Sequence, residues 1–264
     1  MDLGLQGKRA LVTGSTAGIG FASARALAAE GAQVTINGRS ASRVAAAVAQ
    51  LNAELPGARV TGVAADLGTG AGCEMMIRQR ASLDILVNNM GIFEPKPFDE
   101  ITDADWLRFF ETNVLSGVRL TRHYLRGMRE RNWGRVVFVS SESAVQIPTE
   151  MIHYGMTKTA QLAISRGLAE TLAGTGVTVN SVLPGPTASE GVGEFVRQLA
   201  ESQAVDVATV ERQFFETARP SSIIQRFATS DEVAAMITYV CSERASATTG
   251  AALRVDGGVI RCVM

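Results

Sequence analysis

Short runs of aliphatic and β-branched residues recur along the chain at 9–13, 33–37, 59–63, 83–88, 134–140, 177–182 and 252–256. Each run is close to continuously apolar instead of alternating, the pattern of strands in a parallel sheet covered on both faces. Between them, 19–30, 42–55, 103–130, 152–173 and 231–242 carry helical spacing, the third long enough for two helices or one bent one. Strand and helix alternate throughout, which predicts right-handed βαβ units and one α/β domain over 1–264, a doubly wound parallel sheet with helices on both faces. One stretch breaks the rhythm. Segment 186–222 follows a strand and returns none, and mixes Glu190, Glu194, Glu201, Glu211 and Glu216 with Val192, Phe195, Leu199, Phe214 and Phe215. Short amphipathic helices are expected there, forming a lid at the carboxyl end of a strand.

Composition narrows the function classes. Of 264 residues, 46% are hydrophobic and 19% charged, which suits a packed core and excludes a disordered chain. Lys plus Arg is 25 against 26 Asp plus Glu, so no net charge draws the chain to nucleic acid or an acidic membrane. No apolar run approaches the roughly 18 residues of a membrane span, and the start carries no apolar signal segment. Cys73, Cys241 and Cys262 are too few and too scattered for a disulfide framework. Two histidines, His123 and His153, without a His/Cys cluster of ligand spacing, predict no metal site. A cytoplasmic protein with a small-molecule partner is expected.

The first strand runs straight into Thr13-Gly14-Ser15-Thr16-Ala17-Gly18-Ile19-Gly20, ahead of a helix. Glycines there allow a tight turn, close approach of a pyrophosphate and close helix–strand packing. The helix start offers free N–H groups and a positive dipole end to phosphates. Three residues separate Gly14 from Gly18, and one separates Gly18 from Gly20. Further on, Tyr154 and Lys158 stand one helical turn apart, on one face. A nearby ammonium stabilises phenolate, so Lys158 is expected to pull the Tyr154 phenol down toward a working range. Ser141, in Val139-Ser140-Ser141-Glu142-Ser143 at the end of a strand, precedes Tyr154 by thirteen residues, with Ser140 and Ser143 as competing hydroxyls.

The glycine spacing resembles that of the short-chain dehydrogenase/reductase family, in its branch of about 250 residues, and the resemblance runs from Gly7 to Gly258. The family implies a Rossmann sheet and a catalytic tetrad of Asn113, Ser141, Tyr154 and Lys158. In it Tyr154 exchanges a proton with the carbonyl or alcohol oxygen and Ser141 orients that oxygen. Lys158 holds the nicotinamide ribose and tunes Tyr154, and Asn113 positions a water leading to Lys158. The family also implies dinucleotide contacts at Gly14, Ser15, Thr16, Gly18, Ile19 and Gly20. Further contacts are implied at Asp66 and Leu67, at Asn88 and Gly91, at Tyr154 and Lys158, and at Pro184, Gly185, Thr187 and Ser189. Met90 stands where the family's Asn-Asn-Ala-Gly motif has alanine.

The end of the second strand, Asn37-Gly38-Arg39-Ser40, lacks the acid with which NAD binders hold ribose hydroxyls. Arg39 suits a 2′-phosphate instead, so NADP(H) is expected over NAD(H), with Asn37 and Ser40 in the same contact region. Ala17 departs from the base that many NADP-using members carry.

An apolar pocket of Ile147, Met151, Met90 and the lid predicts a carbonyl or secondary-alcohol substrate. A 3-oxoacyl group on acyl carrier protein is one such substrate among relatives. Arg119, Arg122, Arg126, Arg129 and Arg131 make either a docking face for that carrier or a solvated helix face. An NAD-linked alcohol or sugar dehydrogenase is the alternative activity, and a non-catalytic dinucleotide-binding regulator the remaining one. Relatives imply a homotetramer or homodimer assembled through 103–130, 152–173 and the last strand.

Overall fold

The structure, a computed structural model, describes residues 1–203 and 205–263; at 190, 191, 194, 195 and 199 only the backbone is described. Seven strands form one parallel sheet: β1 (Arg9–Val12), β2 (Gln33–Gly38), β3 (Arg59–Ala64), β4 (Ile85–Asn88), β5 (Gly134–Val139), β6 (Val177–Pro184) and the last strand, Ala252–Val255. Their order is β3-β2-β1-β4-β5-β6 followed by the last strand. Strand order reverses beside β1, whose Ala10, Leu11 and Val12 face Ile85, Leu86 and Val87 of β4. Ligands of open α/β sheets bind at the carboxyl ends of strands at such a switch point.

The apolar runs work as expected. Ala10 and Val12 of β1, Ile85 and Val87 of β4, and Val137 and Val139 of β5 pack into one core layer. Leu11, Leu86, Val136 and Phe138 point into the opposite layer, as the two-residue period of a strand requires. Helices α1 (Gly18–Ala29) and α2 (Ala41–Glu54) follow β1 and β2. A further helix, α3 (Gly70–Gln79), was absent from the sequence expectation. Two glycines weaken its local signal; the Thr69 side chain caps it by accepting the Gly72 N–H at 3.0 Å, and Cys73 and Met76 anchor it in the core.

The long segment 103–130 holds two helices, as one of the two expected arrangements has it, and they are joined without a break. Helix α4 (Asp103–Phe110) passes through a π-helical turn, Glu111–Leu115, into α5 (Ser116–Glu130). Single π turns inside α-helices mark functional sites disproportionately, and Asn113 lies in this one. Helix α6 (Ile152–Glu170) carries Tyr154 and Lys158.

The excursion after β6 does contain a strand, contrary to expectation, although a very short one. Thr187–Ala188 (β7) pairs in parallel with Ala228–Thr229 (β8), so the excursion leaves and returns through one clip. Between these lie α7 (Glu190–Gln203) and α8 (Val207–Thr217). Val196, Ala200 and Val210 form a small core of their own between the two helices. Phe227 stacks on Phe214 with ring centroids 5.1 Å apart. Helix α9 (Ser230–Cys241) then packs on α1, and the sheet ends with β9 (Ala252–Val255). No helix among the described residues is long and apolar enough to cross a membrane.

Candidate active site

Gly14 and Gly18 have φ of +58° and +56°, left-handed values that a side chain resists. The first N–H groups of α1 receive no side-chain cap, and its first turn holds no acid. These donors and the positive helix end therefore remain available to an anion. Gly20 answers a different need. A Cβ there would lie 2.5 Å from both the Asn89 amide nitrogen and the Gly14 carbonyl oxygen. Replacing Gly20 with Ala is expected to cost about 1–3 kcal/mol of stability by overpacking; urea unfolding of the variant measures it.

The loop is tied to β4 by residues outside the predicted set. Thr13 Oγ1 accepts the N–H groups of Asn89 and Met90, each at 2.9 Å. The Asn89 amide donates to the carbonyls of Thr13 at 2.9 Å and Gly14 at 3.0 Å. Asn88, the predicted contact, turns the other way: its amide donates to Thr121 Oγ1 at 3.2 Å inside the protein. Ser15 and Asn37 are also spent internally. Ser15 Oγ donates to the Val12 carbonyl at 2.6 Å and accepts the Asn37 N–H at 2.9 Å. The Asn37 carboxamide accepts the Gly14 N–H at 3.1 Å and donates to the carbonyls of Val63 and Ala65. Their side chains shape the loop and have no free polar atom to offer a ligand.

Past β2, Arg39 is exposed and makes no ion pair or hydrogen bond among the described residues. Ser40 caps α2, accepting the Arg43 N–H at 3.4 Å, and the first turn of that helix holds no acid. Thr16 packs against Gly38. Asp66 is exposed, its carboxylate accepting the Gly68 N–H at 3.1 Å, while the Leu67 side chain is in the core. Across the cleft, β6 ends in Pro184 and Gly185. Thr187 Oγ1 donates to the Gly185 carbonyl at 2.9 Å. A Cβ on Gly18 would lie 3.3 Å from Ser189 Cβ, so this segment and the glycine loop are neighbours.

The four residues of the expected tetrad converge at the carboxyl ends of β4 and β5. Asn113 is buried; its oxygen accepts the Ile92 N–H at 2.8 Å and its amide donates to the Ile92 carbonyl and Thr157 Oγ1, each at 3.0 Å. Its main-chain carbonyl, released by the π turn, accepts from Gln161 Nε2 at 2.5 Å. Lys158 is 4% exposed, and among the described residues Nζ makes one hydrogen bond, to the Val139 carbonyl at 2.9 Å. An ammonium has three donors, so two remain for a ligand. Gly91 leaves room beside them: a Cβ there would sit 3.3 Å from Lys158 Nζ. Ser141 Oγ accepts the Ser143 N–H at 3.1 Å, and the Ser141 hydroxyl draws the Tyr154 phenol downward.

Electrostatics corrects one expectation. Burial pushes the Tyr154 phenol up to about 12, and the nearby Glu142 carboxylate adds to that. Ser141 and Arg219 work downward without overcoming it. Lys158 Nζ stands 5.6 Å from the Tyr154 ring centroid, and burial pulls its own ammonium down to about 8. The net movement of the phenol is therefore upward, because desolvation of a phenolate outweighs the surrounding charges.

Three side chains near Tyr154 were not singled out from the sequence. Phe93 meets the Tyr154 ring edge-on with centroids 6.3 Å apart. Glu142 is buried, and Arg219 pairs with it from the end of the excursion at 2.9 Å. Glu142 follows Ser141 directly, the only sequence hint; Arg219 is 77 positions away and leaves no local trace. Ile147 and Val145 are exposed apolar groups. His153 instead packs between Phe109 and Trp106, away from Tyr154 on the helix. Of the five arginines considered for docking, Arg119, Arg126 and Arg131 pair with Glu111, Glu130 and Asp84, which favours the solvated-face reading.

Residues 8–200 match the family described as short chain dehydrogenase. The chain is 49% identical to the uncharacterized oxidoreductase YvaG of Bacillus subtilis, covering 100% of both chains. It is 34% identical to the D-beta-hydroxybutyrate dehydrogenase of Cupriavidus necator, covering 96% of this chain and 98% of that one. L-sorbose reductase from Gluconobacter frateurii, solved with NADPH and L-sorbose, superposes with a TM-score of 0.94 at 32% identity over 100% of both chains. Sheet order, glycine loop and these full-length similarities agree: the chain belongs to the short-chain dehydrogenase/reductase family and is an NAD(P)-dependent oxidoreductase.

Proposed function

We propose that the protein is an NADP(H)-dependent reductase that converts a carbonyl to a secondary alcohol, with Asn113, Ser141, Tyr154 and Lys158 as its working residues. The observation that carries the reading is Tyr154 with the buried Lys158 ammonium over its ring, at the turn that places Ser141 just after β5. The nicotinamide supplies hydride when the dinucleotide is bound. Gly14, Gly18 and the uncapped start of α1 would hold its pyrophosphate, and Lys158 its ribose hydroxyls. Unpaired Arg39, with no acid nearby at the end of β2, would take the 2′-phosphate.

Tyr154 gives its proton to the carbonyl oxygen, and Ser141 donates a hydrogen bond that orients the same oxygen. Because the phenol sits at about 12, it stays protonated at neutral pH, the form that reduction needs. Asn113 does more than line a water path: it ties the Ile92 strand-end loop to α6 through Thr157. The apolar Phe93 at the edge of the Tyr154 ring and Ile147 beside Gly155 favour a carbonyl flanked by carbon, such as a 3-oxoacyl group, and segment 186–222 would cover it. Assembly as a tetramer or dimer belongs to the same reading, since α4 presents Leu107 at 70% exposure beside Phe110.

Parallel fluorescence titrations with NADPH and NADH, followed by turnover of a ketone and 3-oxoacyl ester panel, test this. NADPH is expected to bind at least about tenfold more tightly, one charge-assisted hydrogen bond's worth. Equal or tighter NADH binding would redirect the reading to an NAD-linked alcohol or sugar dehydrogenase.

A further inference from the structure

The Glu142–Arg219 pair lies where three separate pieces of chain meet. Glu142 opens the short 3-10 turn after Ser141 and is 3% exposed. Its Oε1 accepts from Arg219 Nε at 2.9 Å and from Ser143 Oγ at 3.2 Å. Arg219 follows α8 at the end of the excursion. Its Nη1 donates to Glu150 Oε1 at 3.4 Å, in the turn just ahead of α6, and to the Ala218 carbonyl at 2.8 Å. A single guanidinium thus joins the Ser141 turn, the approach to Tyr154 and segment 186–222, which no strand pairing connects.

Stability alone is a poor account of this pair. A buried ion pair gains little over well-packed apolar residues of the same volume, because both charges must be desolvated. Its place beside the phenol gives it other work. The Glu142 carboxylate draws the Tyr154 phenol upward and the Arg219 guanidinium draws it downward, while Lys158 Nζ stands over the ring and Phe93 at its edge. Burial and, less strongly, the Asp256 carboxylate push Glu142 upward, and that Asp256 carboxylate is held by the N–H groups of Gly258 and Ile260.

We propose that Glu142 and Arg219 are positioning residues, a buried clamp that sets Ser141 against Tyr154 and fastens the end of segment 186–222 to that pair. The proposal rests on the reading of Tyr154 and Ser141 as the proton-transferring pair, and the two charges act on the phenol in opposite senses. Glu142→Gln removes the carboxylate that raises the phenol and leaves Arg219 paired with Glu150 alone, so the phenol becomes more acidic. Arg219→Gln removes the cation that draws the phenol downward and makes the phenol less acidic.

The test needs neither substrate nor cofactor. Phenolate absorbance near 295 nm is titrated in each variant, with the matching Tyr154→Phe protein subtracted. Glu142→Gln is expected to move the Tyr154 midpoint down by about one pH unit, and Arg219→Gln to move it upward. The Glu142→Gln/Arg219→Gln double variant leaves no buried charge unpaired and keeps the question open to measurement if a single variant does not fold. Proteolytic cleavage within 186–222 is expected to be about tenfold faster in the double variant, from a clamp opened locally. Unmoved midpoints in the single variants, or wild-type cleavage in the double variant, would overturn the clamp. Turnover retained by Tyr154→Phe would instead overturn the proton-donor reading and leave these readouts standing.

Discussion

Replacing Tyr154 with Phe is expected to lower kcat for carbonyl reduction by roughly 10²–10⁴-fold, the usual contribution of a positioned general acid. The substitution removes one oxygen and keeps the ring that meets Phe93, so the fold and the glycine loop are unaffected. NADPH affinity should stay within about twofold, because a group acting mainly in the transition state contributes little to ground-state binding. The wild-type pH dependence has a definite sign. The phenol is pushed up to about 12; reduction uses its protonated form and should not decline from phenol ionisation until strongly alkaline pH. Alcohol oxidation uses the phenolate, so its rate should climb as pH rises through the same range. Absorbance of NADPH at 340 nm follows both directions. A Phe variant that reduces ketones at the wild-type rate would remove Tyr154 from the mechanism.

Arg39→Ala is expected to weaken NADPH binding by about 10–100-fold, the loss of a hydrogen bond between charged groups. NADH binding should barely change, because NADH lacks the 2′-phosphate. Arg39 stands exposed after β2, next to the start of α2, whose first turn carries no acid. That helix end adds a favourable field for an anion. Because the site is open to solvent, the preference for NADPH should shrink as ionic strength rises. Titrations of both cofactors at low and high salt separate the cases: an equal loss for both would make Arg39 a structural residue. Ser40 offers a weaker handle, since its hydroxyl already caps α2 and contacts Ser42.

Several features of the site were legible in the sequence because each follows from a local rule. The glycine loop is one: a left-handed turn at Gly14 and Gly18 and a crowded contact at Gly20 leave few alternatives to glycine. The placement of Tyr154 and Lys158 on one helix face is another, since it requires only helical geometry. Helix α3 was harder to see, because a capping threonine and two core contacts stabilise it against weak intrinsic propensity. Asn37 and Ser15 show what position in the sequence does not reveal: the polar atoms of their side chains bond inside the protein and shape the loop.

By itself, then, the sequence determined which runs form strands buried on both faces, that the sheet is doubly wound, and that a glycine loop joins the first strand to the first helix. Those depend on period, spacing and backbone strain, all written within a few residues of chain. Only the tertiary structure decided which way Asn88 points, that the helix around Asn113 makes a π turn, and that burial raises the Tyr154 phenol despite Lys158. It alone brought Arg219 to Glu142 across 77 positions. Desolvation and long-range pairing depend on what the rest of the chain encloses, and no local pattern of residues records that.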